Sequence, residues 1–483
     1  MGGKMKTVIV IGMGPAGLSA GMSLLLRGKR VIFLEKYEQN TRLQKILIEK
    51  NLLEDFKNLL PPTHNLERTI QLLNSDLNTF LDEFKPENKE EAKLDYQFIT
   101  AATKNFNICT LKDFQDYQLA KLQFMAKRKD FSFEGDNLHF TGEMQSFRDN
   151  NLEILNIDGK NQKITFKAKG ETHTIDFDHI VDASGSKHIG LNLLNQNFDS
   201  GIIIDKSEHQ PKNKHFGIAN FKFKKDIQEE IRKRNLFRQP FSANYGSRLN
   251  VVDISTLKAI GWKYDFRPTL FLKSDNEGVY ILCDVPDFGA AKDPHAKEGL
   301  IDFAKKIIEI DLPGMSDMLT PDEQFSSSLF DVEHRFPNKA YCKLGKNGYF
   351  FLTGDALVPA NPCFGHGLFH AIGDGNALLE CFDDTGNVAD LKALDENLEE
   401  RKIYMQSSQQ LLESLQTTEA RQFSEQKELE AKYNDALEDL AQFQSPAITP
   451  GLNLALQKNE KAEDLSFKSK VADVSSSLRS SHG

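Results

Sequence analysis

Near the start of the chain runs Thr7-Val8-Ile9-Val10-Ile11-Gly12-Met13-Gly14-Pro15-Ala16-Gly17. Five β-branched residues lead directly into glycines at 12, 14 and 17, and a helix-type run from Leu18 to Leu26 follows. G-x-G-x-x-G placed between a strand and a helix carries far more weight than the glycine spacing alone. Gly12 permits the tight turn, Gly14 lets the backbone approach a pyrophosphate that a Cβ would block, and Gly17 lets the helix pack on its strand. Pro15 and Ala16 stand at the helix N-terminus, whose free N–H groups and partial positive charge face the phosphates. A second strand, Arg30–Leu34, ends at Glu35, where an acidic side chain accepts hydrogen bonds from the adenosine ribose. Together these predict an α/β fold with a Rossmann-like dinucleotide-binding domain. A merely structural glycine turn is the alternative, and the βαβ unit by itself does not separate NAD from FAD.

The same stretch, Thr7 to Leu26, is uncharged and follows Lys4 and Lys6, which superficially suggests a signal peptide or membrane anchor. Gly12, Gly14, Pro15 and Gly17 cut it in its middle and leave two short elements, so no transmembrane segment is expected. Outward from this motif, the chain has 483 residues, enough for about three domains at roughly 150 residues each. Lys and Arg number 60 against 70 Asp and Glu, a net charge of −10 that gives no electrostatic footprint for nucleic acid. The five cysteines, Cys109, Cys283, Cys342, Cys363 and Cys381, include no C-x-x-C pair, which argues against a disulfide framework and a structural zinc. They read as buried or incidental thiols in a reducing, cytoplasmic setting. No His, Asp and Glu grouping has metal-ligand spacing, and no G-x-S-x-G serine elbow occurs.

Residues 44–125 read as mostly helical, with the polar stretch Lys85–Lys93 as an exposed excursion. Strands are expected at Asn151–Asn156, Lys163–Lys167 and Thr172–Val181. The middle changes character: His215–Lys222, Pro268–Lys273 and Val279–Val285 alternate as strands, the last two joined by a turn at 274–278, and Ala296–Glu309 reads as a helix. Residues 386–444 are helical and highly charged, with an apolar stripe of Leu429, Tyr433, Leu437 and Leu440 that suits either packing on the main body or a protein partner. The polar tail beyond Pro446 is expected to be disordered.

Far down the chain a second motif appears. Tyr349–Thr353 reads as a strand, followed by Gly354-Asp355-Ala356-Leu357, then Pro362-Cys363-Phe364-Gly365-His366-Gly367, a helix, and Asp374. This order resembles the flavin-contacting segment of the FAD-dependent monooxygenases of the aromatic-hydroxylase type, the class A flavoproteins. The resemblance implies FAD as cofactor, Asp355 on its ribityl chain, and Pro362, Gly365 and Gly367 bringing a helix N-terminus to the pyrimidine end of the isoalloxazine. There, helix N–H groups would stabilise the negative charge of the reduced flavin. Glu35-Lys36 with Arg42 resembles the family's Glu-Lys and downstream Arg, and the helix around Gln115 is similar to the segment whose Gln touches FAD. The stretch from Glu35 through Arg42, with Gly354–Leu357, is also similar to MICAL-type monooxygenases.

In place of the family's Asp-Gly signature the chain has Asp182-Ala183-Ser184-Gly185, which puts Asp182 and Gly185 at the cofactor but leaves direct reduction by NAD(P)H open. Phe369 stands where many aromatic hydroxylases have Asn. The usual halogenase signature needs two tryptophans, and Trp262 is the chain's only one. The resemblance implies a flavin C4a-hydroperoxide that inserts one oxygen atom of O2 into an organic or protein substrate, with NAD(P)H as reductant and the Phe-rich middle sheet as apolar walls. For catalysis, His366 and Cys363 are the candidates beside the flavin. His366 is otherwise a histidine satisfied by backbone, and Cys363 otherwise a small buried residue. His334 and Arg335 line the substrate cavity or end a solvated strand. Rival readings are an FAD-dependent reductase or dehydrogenase on the same fold, and an exported flavin-binding bacterial effector acting through its C-terminal helices.

The expected organisation is an FAD-binding domain in two parts, 1–189 and 346–385. An inserted mixed β-sheet substrate domain occupies 190–345, a C-terminal helical extension 386–446, and a loose tail 447–483.

Overall fold

The computed structural model describes residues 5–47, 78, 89–104, 108–127, 142–227, 241–244, 254–264, 266–274, 278–290, 293–311, 314–345, 347–360, 362, 367–383 and 386–416. The apolar stripe 429–440, the tail and most of the 274–278 turn lie outside them. Contacts divide the chain into two units, Met1–Ser207 with His334–Met405, and Glu208–Glu333 with Gln406–Gly483.

The first unit begins with β1 (Thr7–Ile11), α1 (Pro15–Leu26) and β2 (Arg30–Glu35). β3 (Lys45–Leu47), α2 (Lys89–Lys104), β4 (Ile108–Thr110) and α3 (Leu111–Lys127) follow. The helical reading of 44–125 therefore needs correction at two places, where Ile46 pairs with Cys109 in a short antiparallel ladder. β-branched and small residues at 46 and 108–110 favour extended backbone, and α2 starts inside the stretch read as an excursion.

β5 (Glu143–Arg148), β6 (Glu153–Asp158), β7 (Lys163–Ala168), β8 (Glu171–Asp176) and β9 (His179–Asp182) come next. The single strand expected over 172–181 is two. β8 pairs with β7 through a turn at Lys169 (φ 51°) and Gly170 (φ 81°), the left-handed pair of a tight hairpin. The chain then bends at Asp178, whose N–H donates to the Thr7 carbonyl at 2.8 Å and whose carboxylate accepts the Thr7 N–H at 2.7 Å. That exchange delivers β9 to the side of β1, in parallel register.

After α4 (Ile189–Asn197) and β10 (Ile204–Lys206) the chain enters the second unit. Its strands are β11 (His215–Phe223), β12 (Phe241–Asn244), β13 (Leu270–Ser274), β14 (Gly278–Asp284), β15 (Leu319–Pro321) and β16 (Ser327–Asp331). The helices α5 (Ile254–Ala259) and α6 (Pro294–Asp311) accompany them. The pairings among these strands are antiparallel, in the order β12-β13-β14-β11-β15, with β16 also on β11. α6 buries Leu300, Phe303, Ile307 and Ile308, and Leu300 lies where a Cβ on Gly217 of β11 would have to go, 2.4 Å away.

The first unit resumes with β17 (Arg335–Pro337), β18 (Tyr341–Leu344), β19 (Gly348–Leu352), α7 (Gly367–Glu380) and the first part of α8 (Lys392–Gln416). Its main sheet runs β18-β19-β9-β1-β2-β5, parallel from β19 to β5. β1 and β2 are buried on both faces, hence their unbroken apolar sequence. Phe33 is fully buried, worth about 1.5–3 kcal/mol, and its ring fills the place of a side chain at Gly21, whose Cβ would stand 2.3 Å from it. The positions 190 and 346, expected as boundaries, fall within this unit. Leu191 and Leu194 of α4 join its core, and β18 is hydrogen-bonded to β19. Leu394, Leu398 and Met405 of α8 are core residues as well.

Candidate functional site

Four parallel strands deliver the motifs to one edge. Ile11 pairs with Leu34 and with Asp182, and Leu352 pairs with Asp182, so β1, β2, β9 and β19 end side by side. The carboxyl ends of such strands are where open α/β sheets bind ligands.

The three glycines of the first turn answer to different constraints. Gly12 has φ 97°, and a Cβ on it would lie 2.6 Å from the Ala183 carbonyl oxygen. A Cβ on Gly17 would lie 2.1 Å from the Gly12 carbonyl oxygen. Gly14 has an ordinary extended backbone (φ −66°, ψ 175°), and a Cβ there meets nothing within 4 Å. Among the described residues position 14 is thus left free, directly before Pro15, the first residue of α1. A cradle that a Cβ would fill, at the N-terminus of a helix, fits a pyrophosphate.

Glu35 bridges the turn to the segment after β2. Its Oε2 accepts the Met13 N–H at 2.7 Å and its Oε1 accepts the Tyr37 N–H at 2.9 Å, leaving each oxygen further acceptor capacity for a ribose. Lys36 sits over the Tyr37 ring, 4.8 Å from its centroid. Gln115 is buried, its Nε2 donates to the Met13 carbonyl at 3.2 Å, and its Oε1 has no hydrogen-bond partner among the described residues. A buried acceptor left open beside the glycine turn fits a donor from a bound cofactor. Gln118, one turn on and not anticipated from sequence, donates to the Ser19 hydroxyl at 3.0 Å and likewise keeps a buried Oε1 with no partner among the described residues.

The second turn meets the first. Gly354 has φ 64°, and a Cβ there would lie 2.6 Å from the Ala16 Cβ. Asp355 follows and is exposed. Desolvation pushes its pKa up, with Asp374 adding to the rise, while Arg401, the Ala360 N–H and Arg42 draw it down. Arg42 and Asp355 are therefore brought together from opposite ends of the sequence. Asp374 is itself buried and accepts the Gly354 N–H at 2.5 Å and the Arg401 guanidinium at 2.6 Å. Arg401 and Asn397, whose amide donates to Asp374 at 2.9 Å, are, with Gln118, residues that sequence reasoning missed.

Asp182 is wholly buried with a raised pKa, desolvation being the largest cause. Its two oxygens accept the N–H groups of Ser184 at 3.0 Å and Leu191 at 2.9 Å, so its side chain organises the 183–191 segment that abuts Gly12. Gly185 adopts φ 79°, and a Cβ on it would meet nothing within 4 Å among the described residues. Pro362 is half-buried, and Gly367 begins α7 with Ala360 Cβ 3.5 Å from where its own Cβ would be. Cys363, Gly365 and His366 lie outside the described residues. His334 is buried, its carbonyl accepting the Ser207 N–H at 2.9 Å, and Arg335 opens β17. Among the described residues no group of three or more His, Cys, Asp or Glu side chains could hold a metal ion. Burial pushes the thiols of Cys109 and Cys381 up to about 12 and that of Cys342 to about 11, which keeps them unreactive.

Residues 5–51 match the family profile of the FAD binding domain. Among solved structures, a triple mutant of the flavin-dependent brominase Bmp2 is 13% identical with a TM-score of 0.51, covering 95% of this chain and 99% of that one. A flavoprotein/dehydrogenase from Cytophaga hutchinsonii is 12% identical with a TM-score of 0.50, covering 95% of this chain and 100% of that one. No curated protein matches the chain, so the MICAL-type likeness rests on its short motifs alone. The glycine turn and the acid at the end of β2 lie in a stretch that matches an FAD binding domain, and the fold that carries them is similar to that of flavin-dependent proteins.

Proposed function

We propose that the chain is an FAD-dependent monooxygenase that places one oxygen atom of O2 in an organic or protein substrate and releases the other as water, with NAD(P)H as the two-electron donor. The observation that supports it best is the meeting of the Gly12–Gly17 turn and the Gly354–Asp355 turn at one sheet edge, with Gly354 against Ala16. Bound FAD supplies the redox chemistry and the activation of oxygen. The chain's own residues do the rest. The N–H groups at the start of α1 take the pyrophosphate, Glu35 the adenosine ribose, Asp355 the ribityl hydroxyls, and Gln115 a donor of the cofactor.

Halogenation in its usual form is disfavoured, because Trp262 is 1% exposed and donates its indole N–H to the Phe266 carbonyl within the second unit's core. Substrate is assigned to the inserted sheet, where β14 is buried along its whole length. Among the described residues no helix is long and apolar enough to cross a membrane, and we place the protein in the cytoplasm.

The deciding experiment has two stages. Purified protein is expected to show a flavin absorption spectrum, or to acquire one on adding FAD, and heat-released cofactor to co-migrate with FAD. NADH or NADPH is then supplied with candidate substrates while oxygen is followed. Substrate-dependent consumption of one O2 per reductant supports oxygenation. Reductant oxidation that proceeds anaerobically with a reduced organic product would replace this reading with the reductase.

A further inference from the structure

In the charged run Glu399-Glu400-Arg401-Lys402 of α8, Arg401 is set apart by burial. Its side chain is 3% exposed, and that of its partner Asp374 is 1%. Its Nη1 donates to Asp374 Oδ2 at 2.6 Å and to the Gly354 carbonyl at 3.2 Å, and its Nη2 donates to the Val358 carbonyl. The same Asp374 oxygen accepts the Gly354 N–H at 2.5 Å and the Thr353 hydroxyl at 3.3 Å. Leu357 and Val358 each return their N–H to the Gly354 carbonyl at 3.0 Å. The guanidinium and the carboxylate therefore grip both ends of the turn 353–358, and Asp355 stands between the grips.

Stability alone is a poor reason for this arrangement. Removing two charges from water costs about as much as their attraction returns, and apolar replacements of buried pairs are often neutral or better. What a planar fork with fixed donor directions does supply is geometry.

We propose that Arg401 is a positioning residue of the cofactor site. It sets the turn that presents the Asp355 carboxylate to the ribityl chain of FAD, so that a residue on the helix expected to be an appendage completes the flavin site. The inference rests on the FAD reading above.

The test uses the full chain stripped of flavin, titrated with FAD and followed by quenching of flavin fluorescence, with urea unfolding in parallel. Arg401→Lys keeps a cation opposite Asp374 but loses the fork, and is expected to weaken FAD binding about tenfold with a small change in urea midpoint. Arg401→Met leaves a buried unpaired carboxylate and is liable to misfold, so the double variant Arg401→Met/Asp374→Leu accompanies it. The double variant is expected to recover the urea midpoint and still bind FAD at least tenfold more weakly. Placed on Asp355→Ala, Arg401→Lys should add less than a twofold further loss, because it acts through Asp355.

Recovery of affinity along with stability in the double variant would make the pair a structural filler and overturn the proposal. So would wild-type affinity in Arg401→Lys, or an additive loss on Asp355→Ala. Absence of saturable FAD binding by the wild-type chain would remove the FAD reading itself; wild-type binding with indifferent Arg401 variants removes only this inference.

Discussion

One turn holds glycines for three separate reasons, and substitution separates them. A Cβ at Gly17 would collide with the Gly12 carbonyl at 2.1 Å, which is backbone and cannot yield, whereas a Cβ at Gly14 meets nothing within 4 Å among the described residues. Gly17→Ala is therefore expected to destabilise the first unit by about 1–3 kcal/mol. Gly14→Ala should leave the urea midpoint of flavin-free protein unchanged and weaken FAD binding at least tenfold. Equal FAD affinity in Gly14→Ala and wild type would show that nothing approaches the backbone there. A second residue offers a pH test. Asp284 is buried on β14, accepts the Thr269 N–H at 2.6 Å, and has its pKa raised by desolvation to about 7. Between its unfolded value near 3.8 and about 7 the folded state retains a proton that the unfolded state has released. Its contribution is complete below the lower value and is lost as pH rises through the upper one. Relative to Asp284→Asn, wild type should lose up to about 1.4 kcal/mol per pH unit across that window. Trp262, the chain's single tryptophan and buried in the same unit, reports this unfolding by fluorescence.

At the scale of elements, α1 and α7 carry the two motifs and are pressed together. A Cβ on Gly375 would lie 2.9 Å from the Ser19 Cβ and 3.0 Å from its backbone carbon, and the Ser23 hydroxyl donates to the Gly375 carbonyl at 2.6 Å. Gly375 is the neighbour of Asp374, so Gly375→Ala is expected both to cost about 1–3 kcal/mol and to weaken FAD binding. Ser23→Ala removes a hydroxyl shared between the Gly375 and Ser19 carbonyls, about 1 kcal/mol, and should spare FAD affinity. An unchanged affinity in Gly375→Ala would uncouple this helix contact from the flavin turn.

These elements were legible in the sequence because their signals are local: β-branched runs ending in glycine, and an acid at a strand end. β8 and β9 were merged because the bend at Asp178 is made by a partner at Thr7, which no window around 178 contains. Arg401 was invisible for the same reason. In Glu-Glu-Arg-Lys it has the pattern of a solvated helix face, and its burial against Asp374 and the 354–358 turn comes from residues distant in sequence.

For the whole molecule, the points at which the chain leaves and re-enters the first unit lie together. Lys206 pairs with Arg335 across the antiparallel β10–β17 ladder, and the Ser207 N–H donates to the His334 carbonyl at 2.9 Å. An insertion tied at its base in this way interrupts the first unit's sequence without interrupting its sheet, whose strand order draws on residues from both sides of the gap. Length suggested about three successive domains; the contacts instead divide the chain into two units, each drawn from two separated stretches of sequence. Replacing 208–333 by a two-residue Asn-Gly turn should therefore convert the β10–β17 ladder into a hairpin. The shortened chain is expected to keep saturable FAD binding and the susceptibility of that binding to Gly14→Ala and Arg401→Lys, since each named cofactor contact lies in the first unit. It is expected to lose substrate-dependent oxygen consumption while still passing electrons from reductant to oxygen, because the inserted sheet carries the assigned substrate surface. Retained coupling of oxygen consumption to substrate would move that surface into the first unit, and loss of FAD binding in a folded deletion protein would show that the insertion contributes to the cofactor site.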